Sequence, residues 1–120
     1  MPKIAISALE PSLDSKVDER FGRAAHLLIV DTETLEIEAL DNSANQRALK
    51  GAGYGAAEAI CGHKAEAVLT GHLGPNAYKA LQIAGVPGYG AVGMTVRQAA
   101  ERFNEGSLVL LSEGEGHSGM

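Results

Sequence analysis

Two arginines that flank a Phe-Gly pair are the side chains best suited to bind an anion. Arg20 and Arg23 belong to the segment Val-Asp-Glu-Arg-Phe-Gly-Arg-Ala at residues 17–24, and Lys16 directly precedes it. Guanidinium groups are weakly hydrated and fork-shaped, which suits a diffuse, soft anion better than an ammonium group does. The same loop carries carboxylates such as Asp18, which would pair with these cations on a solvated surface. An anion site and a solvated charged face both stay open.

A second candidate is the stretch Gly-His-Leu-Gly-Pro at residues 71–75, which follows the apolar run Ala-Glu-Ala-Val-Leu-Thr. A strand that turns sharply into a helix leaves the first N–H groups of that helix unpaired, and such groups attract anions. The loop lacks the Gly-Lys-Ser/Thr of a phosphate-binding P-loop. We expect Gly74 to shape the helix entry. His72 is either exposed to solvent or able to bind a metal or donate to an anion.

A third candidate is the Gly-Ala-Gly run formed by Gly51, Ala52 and Gly53. With Ala56 it reads G-x-G-x-x-A, but it follows Ser-Ala-Asn-Gln-Arg-Ala-Leu-Lys instead of a strand, so a dinucleotide site is disfavoured. The run predicts a helix entry that either packs closely on the sheet or offers backbone amides to an anion.

Two weaker candidates remain. Met94, in a loop before a predicted helix, offers an apolar wall or a thioether. The sequence Cys61-Gly62-His63 lies at the far end of the predicted helix that starts near Gly53, so a helix end beside a small buried residue is favoured over a metal pair. The chain has one cysteine and therefore no internal disulfide.

Composition restricts the function further. The 120 residues are 45% apolar and carry a net charge of −5, which suits one domain and disfavours a nucleic-acid partner. No window reaches membrane-spanning length, so we expect a cytoplasmic protein without a membrane partner. We expect one α/β domain at residues 1–111 and a loose tail, polar and glycine-rich, at residues 112–120.

The order of elements predicts an α/β fold. Strand patterns, one antiparallel pair and then alternating strands and helices indicate a mixed, mostly parallel five-stranded sheet with one early antiparallel strand. Thr95 and Gly106 have the residue types that begin and end a helix. The loops at residues 10–23, 41–53, 71–75 and 90–95 should open at the carboxyl edge of the sheet.

Three segments together make the chain recognisable: residues 17–24, 51–60 and 70–89. With these segments the chain resembles the nitrogenase iron-molybdenum cofactor biosynthesis and accessory-protein family, and within it the orange proteins of sulfate-reducing bacteria. The resemblance implies a ribonuclease-H-like fold with helices on both faces of the sheet. It also implies non-covalent carriage of an anionic metal-sulfide cluster, either of the molybdenum-copper type or similar to the iron-molybdenum cofactor.

The expected cluster-binding residues combine the three candidate segments with Met94, and no direct protein-metal bond is expected, with His72 the possible exception. The set is Lys16, Arg20, Arg23, Gly51, Ala52, Gly53, His72, Gly74 and Met94.

Enzyme activity is not expected. The first predicted strand, Lys-Ile-Ala-Ile-Ser, carries none of the carboxylates that a two-metal nuclease needs, and no G-x-S-x-G elbow is present. One alternative is a regulatory or scaffold domain that recognises a protein partner without metal. A nucleotide-dependent enzyme is a third, based only on glycine-rich helix entries.

Overall fold

The computed structural model describes residues 2–46 and 52–111, which form one sheet with helices packed against it. The strands are β1 (Lys3–Ala8), β2 (His26–Asp31), β3 (Ile37–Asp41), β4 (Val68–Thr70) and β5 (Gly88–Gly90). The helices are α1 (Ser43–Gln46), α2 (Ala52–Gly62), α3 (Pro75–Ala84) and α4 (Val96–Glu105).

The sheet is mixed and has the order β3-β2-β1-β4-β5. β2 runs antiparallel to both of its neighbours, whereas β4 pairs in parallel with β1 and with β5. Four of the five strands therefore point the same way, and β2 alone is reversed. The predicted five-stranded mixed α/β fold with one early antiparallel strand is confirmed.

Two cores lie on opposite faces of this sheet, because alternate residues of a strand point to opposite sides. On one face, Ala5 and Val68 pack with α2 and α3 through Ile60 and Leu81. On the other face, Ile4, Ile6 and Leu69 pack with α4, whose buried residues are Val96, Ala99 and Ala100. Helices therefore cover both faces, as predicted.

Local sequence signals determine where α4 begins and ends. Thr95 accepts a hydrogen bond from the Gln98 N–H, the Gln98 side chain accepts one from the Thr95 N–H, and Gly106 ends the helix with φ 74°. Such a reciprocal capping box satisfies two N–H groups that would otherwise lack a partner. The predicted start and stop of this helix are therefore confirmed.

Three details differ from what the residue pattern predicts, namely Leu35 in the second strand, an uninterrupted loop at residues 41–53 and a strand in the closing apolar run at residues 107–111. Leu35 lies in the β2–β3 turn with φ 64°, not in the second strand. α2 ends at Gly62 as predicted, and the left-handed residue beyond it is Lys64, with φ 63°. The predicted loop at residues 41–53 contains the short helix α1.

The third difference is the closing apolar run, which does not form a full strand. Residues 107–111 run along β5 with one isolated bridge between Leu110 and Tyr89. Val109 and Leu110 are largely exposed in this segment.

The carboxyl edge of the sheet is where β1, β3, β4 and β5 end, since these four strands run in the same direction. The loops that follow these strands lie at this edge, as predicted from the strand order. In the part of the chain described, no helix combines the length and hydropathy needed to cross a bilayer.

Candidate functional site

A cavity of about 420 Å³ opens at the carboxyl edge, and we call it the rim cavity. Three segments line it: the loop after β1, the first turn of α2, and the β4–α3 connection with the first turn of α3. The lining residues are Arg20, Phe21, Gly22, Arg23, Ala52, Gly53, His72, Gly74, Pro75, Asn76 and Ala77.

A buried aromatic ring fixes the two arginines of the rim cavity. Phe21 is only 2% exposed and belongs to the core beneath α2 and α3, so Arg20 and Arg23 lie on either side of an anchored residue. The buried Asn42 side chain donates to the carbonyls of Gly22 and Ala24, at 3.1 and 2.9 Å. The Arg23 Nη1 donates to the Gln46 carbonyl at 3.2 Å, which ties this loop to α1.

Asp18 holds the Arg20 guanidinium through two hydrogen bonds. Arg20 Nε donates to Asp18 Oδ1 at 3.1 Å, and Arg20 Nη2 donates to Oδ2 at 3.0 Å. The same carboxylate also accepts from the backbone N–H groups of Arg20 and Ala25. Burial acts to raise the pKa of Asp18, but these hydrogen bonds and the nearby positive charge outweigh it and leave that pKa below its ordinary value.

Three backbone segments meet at the base of the rim cavity without intervening side chains. A Cβ added at Gly22 would lie 2.9 Å from the Gly53 nitrogen, and one added at Gly53 would lie 2.9 Å from the Ala77 nitrogen. Real Cβ atoms essentially never approach other atoms this closely, so a larger residue at either position would force the neighbouring backbone to shift. This contact places the first turns of α2 and α3 side by side.

The start of α3 has no side-chain cap. Its N-cap is Gly74, no side-chain cap hydrogen bond forms there within the part of the chain that the structure describes, and Pro75 brings no N–H group. In α4, which starts at the same edge, the first N–H groups donate to Ser15 and Leu13 carbonyls and to the Thr95 side chain. The N–H groups of an uncapped first turn, together with the helix dipole, attract negative charge. The α3 entry therefore has the chemistry of an anion site, and the α4 entry does not.

His72 lies where the loop after β1 meets the end of β4. It forms a parallel backbone bridge with Arg20, and its exposed side chain lines the rim cavity. Arg20, Arg23 and His72 therefore line the rim cavity together.

Other predicted site residues lie elsewhere. Lys16 lines a neighbouring cavity of about 500 Å³, which we call the Lys16 cavity, and its ammonium group lies 3.5 Å from the Gly93 carbonyl. Met94 packs against the core on the α4 face. Neither residue lines the rim cavity, because the loop after β1 and the loop after β5 join at the other side of Arg20. Gly51 lies outside the described residues.

The predicted orientation of Cys61 agrees with the structure, since it lies in the last turn of α2, at the opposite end from Gly53. The half-buried Cys61 thiol has a pKa raised by burial, and the nearby His63 lies 3.8 Å from Glu38. Within residues 2–46 and 52–111, no three His, Cys, Asp or Glu side chains are grouped to hold a metal ion.

Sequence reasoning missed several residues of the site. Phe21 and Gly22 could have been included from their position between the two arginines, and Asn76 and Ala77 from their position in the first turn of α3. The supporting roles of Asp18 and Asn42 depend on contacts within the folded loop that no sequence spacing indicates.

Comparison with known proteins gives the chain clear relatives. The sequence profile of the dinitrogenase iron-molybdenum cofactor family matches residues 2–106. The apo form of the orange protein from Desulfovibrio gigas is 42% identical with a TM-score of 0.90, over 96% of this chain and 97% of that protein. None of the curated proteins matches.

Two further solved structures are similar. A Thermotoga protein provisionally assigned as a NifB protein is 30% identical with a TM-score of 0.78, over 100% of this chain and 98% of its own. A Methanocaldococcus jannaschii protein provisionally assigned as a dinitrogenase is 21% identical with a TM-score of 0.67, over 92% of this chain and 94% of its own, and it supports the fold alone.

Proposed function

This chain belongs to the dinitrogenase iron-molybdenum cofactor family, and from that premise we propose that it binds and carries an anionic metal-sulfide cluster without covalent attachment. The observation that carries the proposal is the rim cavity, which two arginines line together with the uncapped first turn of α3. Guanidinium groups and helix N-termini both stabilise negative charge, and here they converge on one space.

The donor set of the rim cavity fits a cargo that brings its own metal ligands. Its polar groups include N–H donors from Arg20, Arg23 and the helix entry, which can bind sulfide ions on the outside of a cluster. No grouping of protein metal ligands occurs among the described residues. The apolar residues Phe21, Pro75 and Ala77 are also part of the lining.

The relatives support a finer proposal about the cargo. One similar protein is an orange protein, so a molybdenum-copper sulfide cluster is the cargo we propose first, with an iron-molybdenum cofactor-like cluster second. Binding of a preformed cluster requires no bond making by the protein, so we propose a carrier and not an enzyme. A cytoplasmic location goes with this proposal.

The test is to titrate the metal-free chain with tetrathiomolybdate and copper, desalt it, and record visible absorption with molybdenum, copper and iron analysis. We expect a coloured complex of fixed stoichiometry that survives desalting. A His117→Ala variant, altered only in the tail, should bind equally and so exclude adventitious metal binding.

A charge-matched pair of variants tests whether the cargo binds in the rim cavity. Arg20→Ala with Arg23→Ala should lose roughly tenfold or more in affinity, because two charge-assisted donors are removed. Lys3→Ala with Arg102→Ala removes the same charge from exposed positions at the other edge of the sheet and should bind normally. Equal affinity of the two double variants would contradict the rim cavity as the site.

One observation favours the alternative of a regulatory or scaffold domain with a protein partner. Leu9 and Val92, 48% and 56% exposed, follow β1 and β5 at the same edge as the rim cavity. Exposed apolar side chains beside a site are typical of contact surfaces. Partner capture by a colourless chain that is abolished by Leu9→Ser with Val92→Ser would favour this second function over cluster carriage.

A further inference from the structure

Arg20 lies between two cavities and lines both of them. It lines the rim cavity together with Arg23 and His72, and it lines the Lys16 cavity together with Glu19. Its side chain is 57% exposed, so packing alone leaves it much of its rotamer freedom. What fixes its orientation must therefore be a specific contact.

That contact is the carboxylate of Asp18, a side chain that is only 3% exposed and whose backbone is hydrogen-bonded to the sheet. The Asp18 N–H donates to the Ser7 carbonyl at 2.8 Å, and the Ser7 hydroxyl donates back to the Asp18 carbonyl at 2.6 Å. The Ser7 hydroxyl also lies 2.7 Å from the Thr70 hydroxyl, which links the arrangement to β4. Asp18 is therefore tied to two central strands, and it transmits their rigidity to Arg20.

We propose that Asp18 is a positioning residue of the rim cavity, which fixes the Arg20 guanidinium at the boundary with the Lys16 cavity so that it donates to the anionic cargo. This inference rests on the proposed function. The two hydrogen bonds to Asp18, which we call the fork, involve Nε and Nη2 of Arg20 and do not involve Nη1. A guanidinium already held in place loses less conformational freedom when it binds a cluster.

The ion pair with Asp18 also changes how Arg20 contributes to cargo binding. Much of its charge is balanced by Asp18 at 3.0 Å, so its contribution is directed hydrogen bonding more than attraction at a distance. A lysine at this position would keep the charge but could not form the two-bond fork. Substitution of Arg20 can therefore separate the effect of its charge on cargo binding from the effect of its orientation.

Four variants test the proposal, all titrated with tetrathiomolybdate and copper: Asp18→Asn, Arg20→Gln, the two combined, and Arg20→Lys. We expect Asp18→Asn and Arg20→Gln each to weaken binding roughly tenfold. The combined variant should match Arg20→Gln to within about twofold, because Asp18 acts only through Arg20. Multiplied losses in the combined variant would overturn the positioning role.

Arg20→Lys keeps the proposal testable if Asp18→Asn does not fold. We expect it to bind as weakly as Arg20→Gln, and binding equal to the wild-type chain would overturn the role of the fork. The Arg20 Nε–H resonance of the cluster-free chain should be present in wild type and lost in Asp18→Asn, and its persistence would also contradict the proposal.

The same titrations distinguish failure of the proposed function from failure of the positioning role alone. A wild-type chain that does not bind the probe would overturn cluster carriage and, with it, the positioning role. A wild-type chain that binds, with losses that multiply in the combined variant, would overturn the positioning role alone.

Discussion

Asp18 links the acid stability of the fold to the geometry of the rim cavity. Its pKa is lowered in the folded chain, so its stabilising contribution is complete above its ordinary pKa and is lost as the pH falls through the lower folded value. The two carboxylate oxygens accept hydrogen bonds from Arg20 and from the Ala25 N–H. The residue therefore matters for stability at neutral pH and ceases to matter in acid.

We predict that Asp18→Asn lowers the free energy of unfolding at pH 7 by about 1–3 kcal/mol, because one amide NH₂ would face donors that now contact a carboxylate oxygen. The difference from wild type should shrink as the pH falls below about 4, where the unfolded carboxylate takes up a proton. Urea unfolding across this range measures the effect. A difference independent of pH would contradict the ion-pair origin of the stability.

Gly53 is the residue whose missing side chain lets two helices meet. A Cβ there would lie 2.9 Å from the Ala77 nitrogen and 3.0 Å from the Ala77 Cβ. We predict that Gly53→Ala costs about 1–3 kcal/mol, because the first turns of α2 and α3 must separate.

Gly62→Ala, in the same helix but with nothing within 4 Å of the added Cβ, is the matched control. It should be neutral or stabilising by up to about 1 kcal/mol, since alanine favours a helix. Equal melting temperatures for the two variants would show that the close contact is not maintained in solution.

At the scale of elements, α3 combines an ordinary helix end with an uncapped start. Gly85 ends it with φ 77°, whereas Gly74 at its N-cap has φ −69° and ψ 171°, an extended conformation that any residue adopts. A Cβ at Gly74 meets nothing within 4 Å. The missing cap is therefore not forced by backbone strain or crowding.

We predict that Gly74→Asp raises the free energy of unfolding by a few tenths of a kcal/mol, because aspartate is a good N-cap. The same change should weaken tetrathiomolybdate binding roughly tenfold or more, since a carboxylate occupies the helix N–H groups and repels the anion. Thermal melts and the visible titration measure the two effects.

Two neutral variants separate the effect of capping the helix from the effect of the added negative charge. Gly74→Asn caps the helix without charge and should have an intermediate affinity, and Gly74→Ala provides no cap and should bind like the wild-type chain. Undiminished binding by Gly74→Asp would exclude the α3 entry from the site.

Elements were more predictable from the sequence than their contacts. Thr95 and Gly106 fixed α4 because caps act within a few neighbouring residues. Lys16 and Met94 lie outside the rim cavity, because a position at the same sheet edge does not decide the side of Arg20 on which a side chain lies. The Gly22–Gly53–Ala77 contact joins three distant segments, so no local pattern indicates it.

At the scale of the whole molecule, the charge balance opposes the proposed cargo. The chain has a net charge of −5, and Asp18 and Glu19 lie among the cations near the rim cavity. Long-range fields govern the approach of a charged ligand, whereas short-range donors govern its retention.

We predict that the association rate constant for tetrathiomolybdate rises between about 10 mM and about 150 mM ionic strength, as the Debye length falls from about 30 Å to about 8 Å and screens the repulsion. Stopped-flow absorbance measures it. A rate that falls with added salt would mean that the local field of the rim arginines dominates the encounter.

Because β2 is reversed, the sheet has the rim cavity at one edge and the β2–β3 turn at the other. The β2–β3 turn lies at the edge opposite the rim cavity, where its Glu33 and Thr34 N–H groups are satisfied by Asp31 and the Asn104 side chain donates to the Thr32 carbonyl. A fluorophore or surface linker attached at the exposed Glu33 would therefore leave the cavity unobstructed. Immobilised by this turn, the protein would present its binding side outward, which is the orientation that a thiometallate sensor needs.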